Sequence, residues 1–153
     1  MSTSLIETPL EKKGTRKSKE YISQVRVIYA DTDKMGHVYH SKYLHYFEIG
    51  RNELLREIGF PYKKLEDLNI FLPIIESHLN YYRPAFYDDL LTVKTNVGQE
   101  EGKLLRFNIC CSVYRENELL TDGYTIHVIS SNQGKPSKPP KELYRSLTSK
   151  LFG

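Results

Sequence analysis

The fold is decided by Ser41-Lys42-Tyr43-Leu44-His45-Tyr46-Phe47-Glu48-Ile49-Gly50-Arg51-Asn52-Glu53-Leu54-Leu55-Arg56-Glu57-Ile58. Tyr43, Phe47, Gly50, Leu54 and Ile58 recur at steps of four, three, four and four, which is one apolar stripe of an amphipathic helix. Gly59 follows as a stop signal, and Pro61 forbids continuation. Gly50 lies on the stripe itself. A mid-helix Gly costs about 1 kcal/mol relative to Ala, so it marks a point where the helix backbone lies close against a sheet. Plain tolerance of Gly is the competing explanation.

Outward from this helix the period changes to two. Tyr21 to Ala30 alternates, with Val25, Val27 and Tyr29 against Gln24, Arg26 and Ala30. Strands are expected over Leu72 to Tyr82, ended by Arg83-Pro84, and over Leu90 to Gln99, Leu104 to Tyr114 and Leu119 to Ser130. The third of these puts Leu105, Phe107, Ile109, Cys111 and Val113 on one face, and residues 115–118 form a hairpin turn. Gly134 to Pro140 reads as a loop and Glu142 to Leu151 as a terminal helix. One long helix and a run of strands joined by short turns is an α+β arrangement, the helix wrapped by a curved, largely antiparallel sheet. The other face and the edges of that sheet are left for a second copy. The expected divisions are a disordered tail over residues 1–20, a folded domain over 21–132, and a C-terminal loop and short helix over 133–153.

The chain has 153 residues, 39% hydrophobic and 27% charged, enough for one domain with its own core. No apolar run is long enough to span a membrane, and residues 1–20 lack a secretory signal's apolar core; a cytoplasmic location is expected. The net charge of +3 is unevenly placed. Residues 1–20 carry five Lys/Arg against three Asp/Glu, and 133–153 carry five against one, so the body between is net acidic. That argues against a nucleic-acid partner. Cys110 and Cys111 are neighbours that point to opposite strand faces, so no internal disulfide and no zinc spacing is expected. One should be core and the other exposed.

Chemistry concentrates in Asp31-Thr32-Asp33-Lys34-Met35-Gly36-His37-Val38-Tyr39-His40, between a strand pattern and the helix start. Two carboxylates, a tight turn at Gly36 and the positive end of a helix fall close together. Backbone N–H groups there can bind a carbonyl oxygen while a carboxylate works on the carbonyl carbon. Asp33 near a helix N-terminus could attack the carbonyl carbon directly or deprotonate water; the alternative is that it only caps the turn. Asp31 reads as a brace that accepts backbone N–H bonds, and Gly36 as part of the same turn. His37 and His40, with Asp31 and Asp33, raise a metal site, but no further ligand is evident and none is expected. Glu48 reads as a helix-face partner for Arg51 or Asn52, with a catalytic assist as the alternative. His45, His78 and His127 read as surface or sheet residues. Arg83, Arg106 and the C-terminal lysines are candidates to meet phosphates.

The chain resembles the hotdog fold. Residues 29–58 resemble the 4-hydroxybenzoyl-CoA thioesterase-like family, and most closely its small bacterial acyl-CoA thioesterases associated with the Tol-Pal system. The matching residues are Tyr29-Ala30-Asp31-Thr32-Asp33, Gly36, Val38-Tyr39-His40, Tyr43-Leu44, Phe47-Glu48 and Arg51. A second match is Asn80-Tyr81-Tyr82-Arg83-Pro84-Ala85, followed by Tyr87-Asp88-Asp89-Leu90. The resemblance implies hydrolysis of acyl-CoA to a free acid and coenzyme A, without metal or redox cofactor. It implies Asp33 as the catalytic carboxylate and the backbone N–H of His40 as the oxyanion donor. It also implies a homodimer or homotetramer whose sites combine one subunit's helix start with the partner's strands. Lys42 departs from the family, where Asn is frequent, and His37 stands where a small or apolar residue is common; both bear on the acyl group. The alternatives are a thioesterase acting on acyl carrier protein, and a non-catalytic thioester-binding or scaffold protein of the same fold.

Overall fold

The computed structural model describes residues 12–153. Helix α1 spans Lys42–Glu57, and its stripe is buried as the spacing requires: Tyr43, Phe47, Gly50 and Leu54 all face inward, with Ile58 just beyond the last turn. Gly59 then takes φ +87°, and the Phe60 N–H reaches back to the Leu55 carbonyl at 2.9 Å. This left-handed stop closes the helix C-terminus.

Among the described residues six strands form one antiparallel sheet around α1. They are β1 (Thr15–Lys17), β2 (Tyr21–Arg26), β3 (Ile74–Tyr81), β4 (Leu90–Glu100), β5 (Arg106–Arg115) and β6 (Glu118–Val128). The order is β4-β5-β6-β3, with β2 and β1 following one another along the outer side of β4. Thr95, Cys111, Gly123 and Leu79 lie in one row across the sheet. Gly50 sits over that row. A Cβ at position 50 would lie 2.4 Å from Thr95 Oγ1 and 2.9 Å from Val93 Cγ1. The close approach expected of Gly50 is therefore real. Helix α3 (Lys141–Phe152) packs Leu147 and Leu151 into the same core and stacks Phe152 on Phe107.

Three expectations need correction. The tail assigned to residues 1–20 lies partly outside the described residues, but from Thr15 the chain is structured. β1 pairs with β4, and Ser18 is buried, exchanging hydrogen bonds with Val97 through its N–H and its hydroxyl. A three-residue strand of Thr-Arg-Lys is too short and too polar to show alternation. Cys110 is buried as well as Cys111, because it sits in register between the larger Asn96 and Tyr124. A short helix α2 (Tyr62–Asp67) falls in a segment where no helix is expected; it is a single turn and a half anchored by one buried residue, Leu65.

His127 belongs to β6 as expected, yet it is fully buried. Its Nδ1 lies 2.9 Å from the Leu72 carbonyl and its Nε2 2.8 Å from Thr125 Oγ1. The carbonyl can only accept, so Nδ1 carries the proton and Nε2 accepts from Thr125. Burial pushes its pKa down to about 4.

Among the described residues β3 is one outer edge of the sheet, pairing with β6 alone among the strands. Ile74 and Ile75 on it are about half exposed, at 47% and 56%. An edge with unpaired backbone groups and bare apolar side chains is a pairing surface.

Candidate active site

The chain between β2 and α1 folds into a tight loop held by its own backbone. The Asp33 N–H donates to the His37 carbonyl at 2.8 Å, the Gly36 N–H to the Asp33 carbonyl at 3.0 Å, and the Tyr39 N–H to the Asp31 carbonyl at 2.8 Å. Gly36 supplies the turn with φ +80°, a conformation open to Gly at little steric cost. The Val38 N–H donates to the Ala85 carbonyl at 2.9 Å, so the loop is docked on the segment that follows β3.

The two carboxylates divide the work differently from the sequence expectation. Asp33, not Asp31, accepts the backbone N–H groups: its Oδ1 takes Met35 N–H at 2.9 Å and His37 N–H at 3.3 Å. Its Oδ2 has no hydrogen-bond partner among the described residues. Asp31 instead accepts the Tyr46 hydroxyl on Oδ2 at 2.8 Å, which ties the loop to α1. Burial and the adjacent Asp31 carboxylate push the Tyr46 hydroxyl far above the ordinary tyrosine range, so it remains a donor.

At the helix start, the Lys42 N–H donates to the Tyr39 carbonyl at 2.9 Å. Among the described residues the N–H groups of His40 and Ser41 meet no acceptor. They add to the positive end of α1. The His40 imidazole is exposed and packs beside the Tyr39 ring at 4.4 Å, away from any acid–base pairing.

Asp33 and His40 share a cleft of about 500 Å³. Asp33, Met35, His37, Val38, Tyr39 and His40 line it from the loop, Tyr43 from α1, and Tyr81, Tyr82, Arg83 and Pro84 from the end of β3. The Tyr81 hydroxyl donates to the His40 carbonyl at 3.0 Å. The far wall is fixed by Arg115, which bonds the Pro84 carbonyl, Asp89 and Glu118. Arg83 leans on Glu118 at 3.3 Å and is the cation of the rim. This network accounts for the second sequence match: Arg83, Pro84 and Asp89 are the parts of one wall.

Glu48 is not among the residues that line this cleft; it is exposed and 3.8 Å from the buried Arg51. That is the helix-face pairing expected, and it leaves Glu48 outside the cleft lining. His37 rests edge-on against Phe86 at 5.3 Å. Among the described residues no three His, Cys, Asp or Glu side chains are gathered for a metal ion. Tyr46 and Tyr81 carry two of the site's side-chain ties, and sequence reasoning assigned neither. The available signal for Tyr81 was its place in the Asn80 to Ala85 match beside Arg83-Pro84; Tyr46 gave none, because a boundary Tyr on a helix ordinarily just packs.

Residues 27–147 match the family model described as the thioesterase-like superfamily. The chain belongs to that superfamily. It is 36% identical over 122 residues to the acyl-CoA thioesterase YbgC of Haemophilus influenzae, covering 78% of this chain and 88% of the relative. Among solved structures, a hypothetical protein of Thermus thermophilus superposes with a TM-score of 0.78 at 30% identity, covering 88% of this chain and all of the other. A DHNA-CoA thioesterase of Staphylococcus aureus gives 0.77 at 26% identity, covering 86% and 87%. The hotdog arrangement of one long helix within a curved antiparallel sheet is thus the fold of this chain.

Proposed function

We propose that this protein hydrolyses acyl-CoA thioesters to a free acid and coenzyme A, using Asp33 and the N-terminus of α1. The observation that supports the reading is the shared cleft: Asp33, whose Oδ2 has no partner among the described residues, lines the same cavity as His40, whose N–H meets no acceptor among them. A thioester carbonyl is already electrophilic. The N–H of His40 receives its oxygen as negative charge develops there. Asp33 either attacks the carbonyl carbon, expelling the coenzyme A thiolate and leaving an anhydride for water to open, or takes the proton of an attacking water. Asp31 and Gly36 hold the loop in place. No metal or redox group has a step to perform. Arg83 on the rim suits the phosphates of coenzyme A.

The assembly is a homodimer or a dimer of dimers, formed along β3, which brings a second subunit to the open side of the cleft. The described residues contain no helix long and apolar enough to cross a membrane, and a cytoplasmic location fits a coenzyme A substrate. The test is thiol release by purified protein across short, long and aromatic acyl-CoAs. Release from none of them overturns the reading.

A further inference from the structure

We infer that Tyr81 is a positioning residue for this reaction, its hydroxyl holding the His40–Ser41 peptide plane so that the His40 backbone, and with it the His40 N–H, stays fixed at the cleft. The inference rests on the hydrolase reading above and deepens it.

His40 is flanked by two peptide planes. The plane before it is fixed by the 2.9 Å bond from the Lys42 N–H to the Tyr39 carbonyl. In a trans peptide the N–H points opposite to the C=O, so this bond aims the His40 N–H away from the helix body. The plane after it is fixed by the 3.0 Å bond from Tyr81 to the His40 carbonyl. Among the described residues the cap position Ser41 makes no side-chain bond to the turn, which leaves Tyr81 as the side chain that holds it. The same bond has an electrostatic consequence. An unpaired carbonyl oxygen beside a developing oxyanion would repel it, and a donated hydroxyl masks that partial charge. The Tyr81 ring is held independently, edge-on to Tyr43 at 5.5 Å. Removing the hydroxyl therefore leaves the ring where it is. Partial burial raises the Tyr81 pKa, which keeps the group a donor at neutral pH.

The experiment is Tyr81→Phe, with kcat and KM measured on an acyl-CoA the wild type cleaves, and 15N relaxation of the His40 and Ser41 amides. We expect kcat to fall about tenfold, less than when an oxyanion donor is itself removed, with KM within about twofold and both amides less ordered. A raised KM at unchanged kcat, or unaltered amides, overturns the inference. A second form of the test replaces Tyr81 by a fluorinated tyrosine whose hydroxyl ionises near neutral pH. Turnover should then decline as that hydroxyl ionises, since a phenolate cannot donate, and an unshifted pH profile overturns the inference even if the Phe variant folds poorly. Asp33→Asn run alongside separates the two proposals. If Asp33→Asn is inactive while Tyr81→Phe is normal, only the role of Tyr81 fails. If Asp33→Asn is normal while Tyr81→Phe is slow, the role of Tyr81 survives and the carboxylate mechanism fails.

Discussion

Tyr46, inside α1, donates its hydroxyl to the Asp31 carboxylate at 2.8 Å, joining the helix to the loop that carries Asp33. A buried hydroxyl that serves a carboxylate is not a spectator, because removing either partner strands the other. Hydrogen bonds to charged groups contribute about 1.5–3 kcal/mol. Tyr46→Phe and Asp31→Asn should each lower unfolding free energy by roughly 1–3 kcal/mol, read by urea denaturation. Turnover per folded molecule should fall much less than for Asp33→Asn. Equal catalytic damage from Asp31→Asn would make Asp31 more than a brace.

Gly50→Ala sets two effects against each other. Ala in a helix interior gains about 1 kcal/mol over Gly. The new Cβ, however, would sit 2.4 Å from Thr95 Oγ1, and Thr95 is fully buried with a β-branched side chain that cannot swing aside. Overpacking costs about 1–3 kcal/mol, so the contact outweighs the propensity and the variant should be less stable by about 1 kcal/mol or more. Adding Thr95→Ala should recover part of the loss, and the double-mutant cycle measures it. Additive losses in the cycle would place the strain elsewhere.

The elements legible in the sequence were those in which one physical signal repeats. The α1 stripe and β4 bury one face over many residues, so their periods repeat, and β5 and β6 are long strands buried on both faces over much of their length. β1 was invisible because it contributes three polar residues and is defined by β4. The site was legible as a segment but not as a division of labour. Asp31 and Asp33 are two residues apart, and only the turn geometry decides that Asp33 captures the Met35 and His37 N–H groups while Asp31 turns toward Tyr46. Tyr81 reaches His40 across 41 residues of chain, a distance over which local patterns carry no information.

Acid sensitivity should trace in part to His127. Its folded pKa of about 4 lies below the ordinary 6.5 because the ring is buried. Above 6.5 neither state binds the proton and the shift costs nothing. As pH falls from 6.5 towards 4 the unfolded chain takes up a proton that the native ring refuses, so stability declines. The full loss is on the order of 3 kcal/mol, at 1.36 kcal/mol per pKa unit. Unfolding free energies measured between pH 7 and 4 should show this slope, and His127→Gln should flatten it. An unchanged slope in the variant would assign the acid sensitivity to carboxylates.

The bare β3 edge makes assembly testable. Light scattering should give at least twice the chain's 17.9 kDa. Ile75→Lys places a charge on the half-exposed edge, a device that blocks strand pairing, and should shift the protein towards monomer with loss of turnover. A monomeric variant of full activity would show that each cleft is complete within one subunit.

Asp33→Asn is the decisive substitution, and the geometry says what it isolates. The amide keeps an oxygen that can accept from Met35 and His37, so the loop retains its brace. The group in the Oδ2 position becomes an NH2, which can neither attack a carbonyl nor take a proton from water. The helix N-terminus and the cleft walls are untouched, so thioester binding should persist. Turnover should fall by at least about a hundredfold, the low end for general acid–base catalysis, with kcat carrying the loss. Binding is measured separately, by displacement of a non-hydrolysable acyl-CoA analogue on assembled protein. Near-normal hydrolysis would show that Asp33 is only the cap of its turn, and the reacting group would then have to be sought at the His40 imidazole, since Glu48 does not line the cleft. Lost binding with a lowered melting point would instead mean that the brace had failed, which the Asp31→Asn comparison would reveal as the same kind of damage.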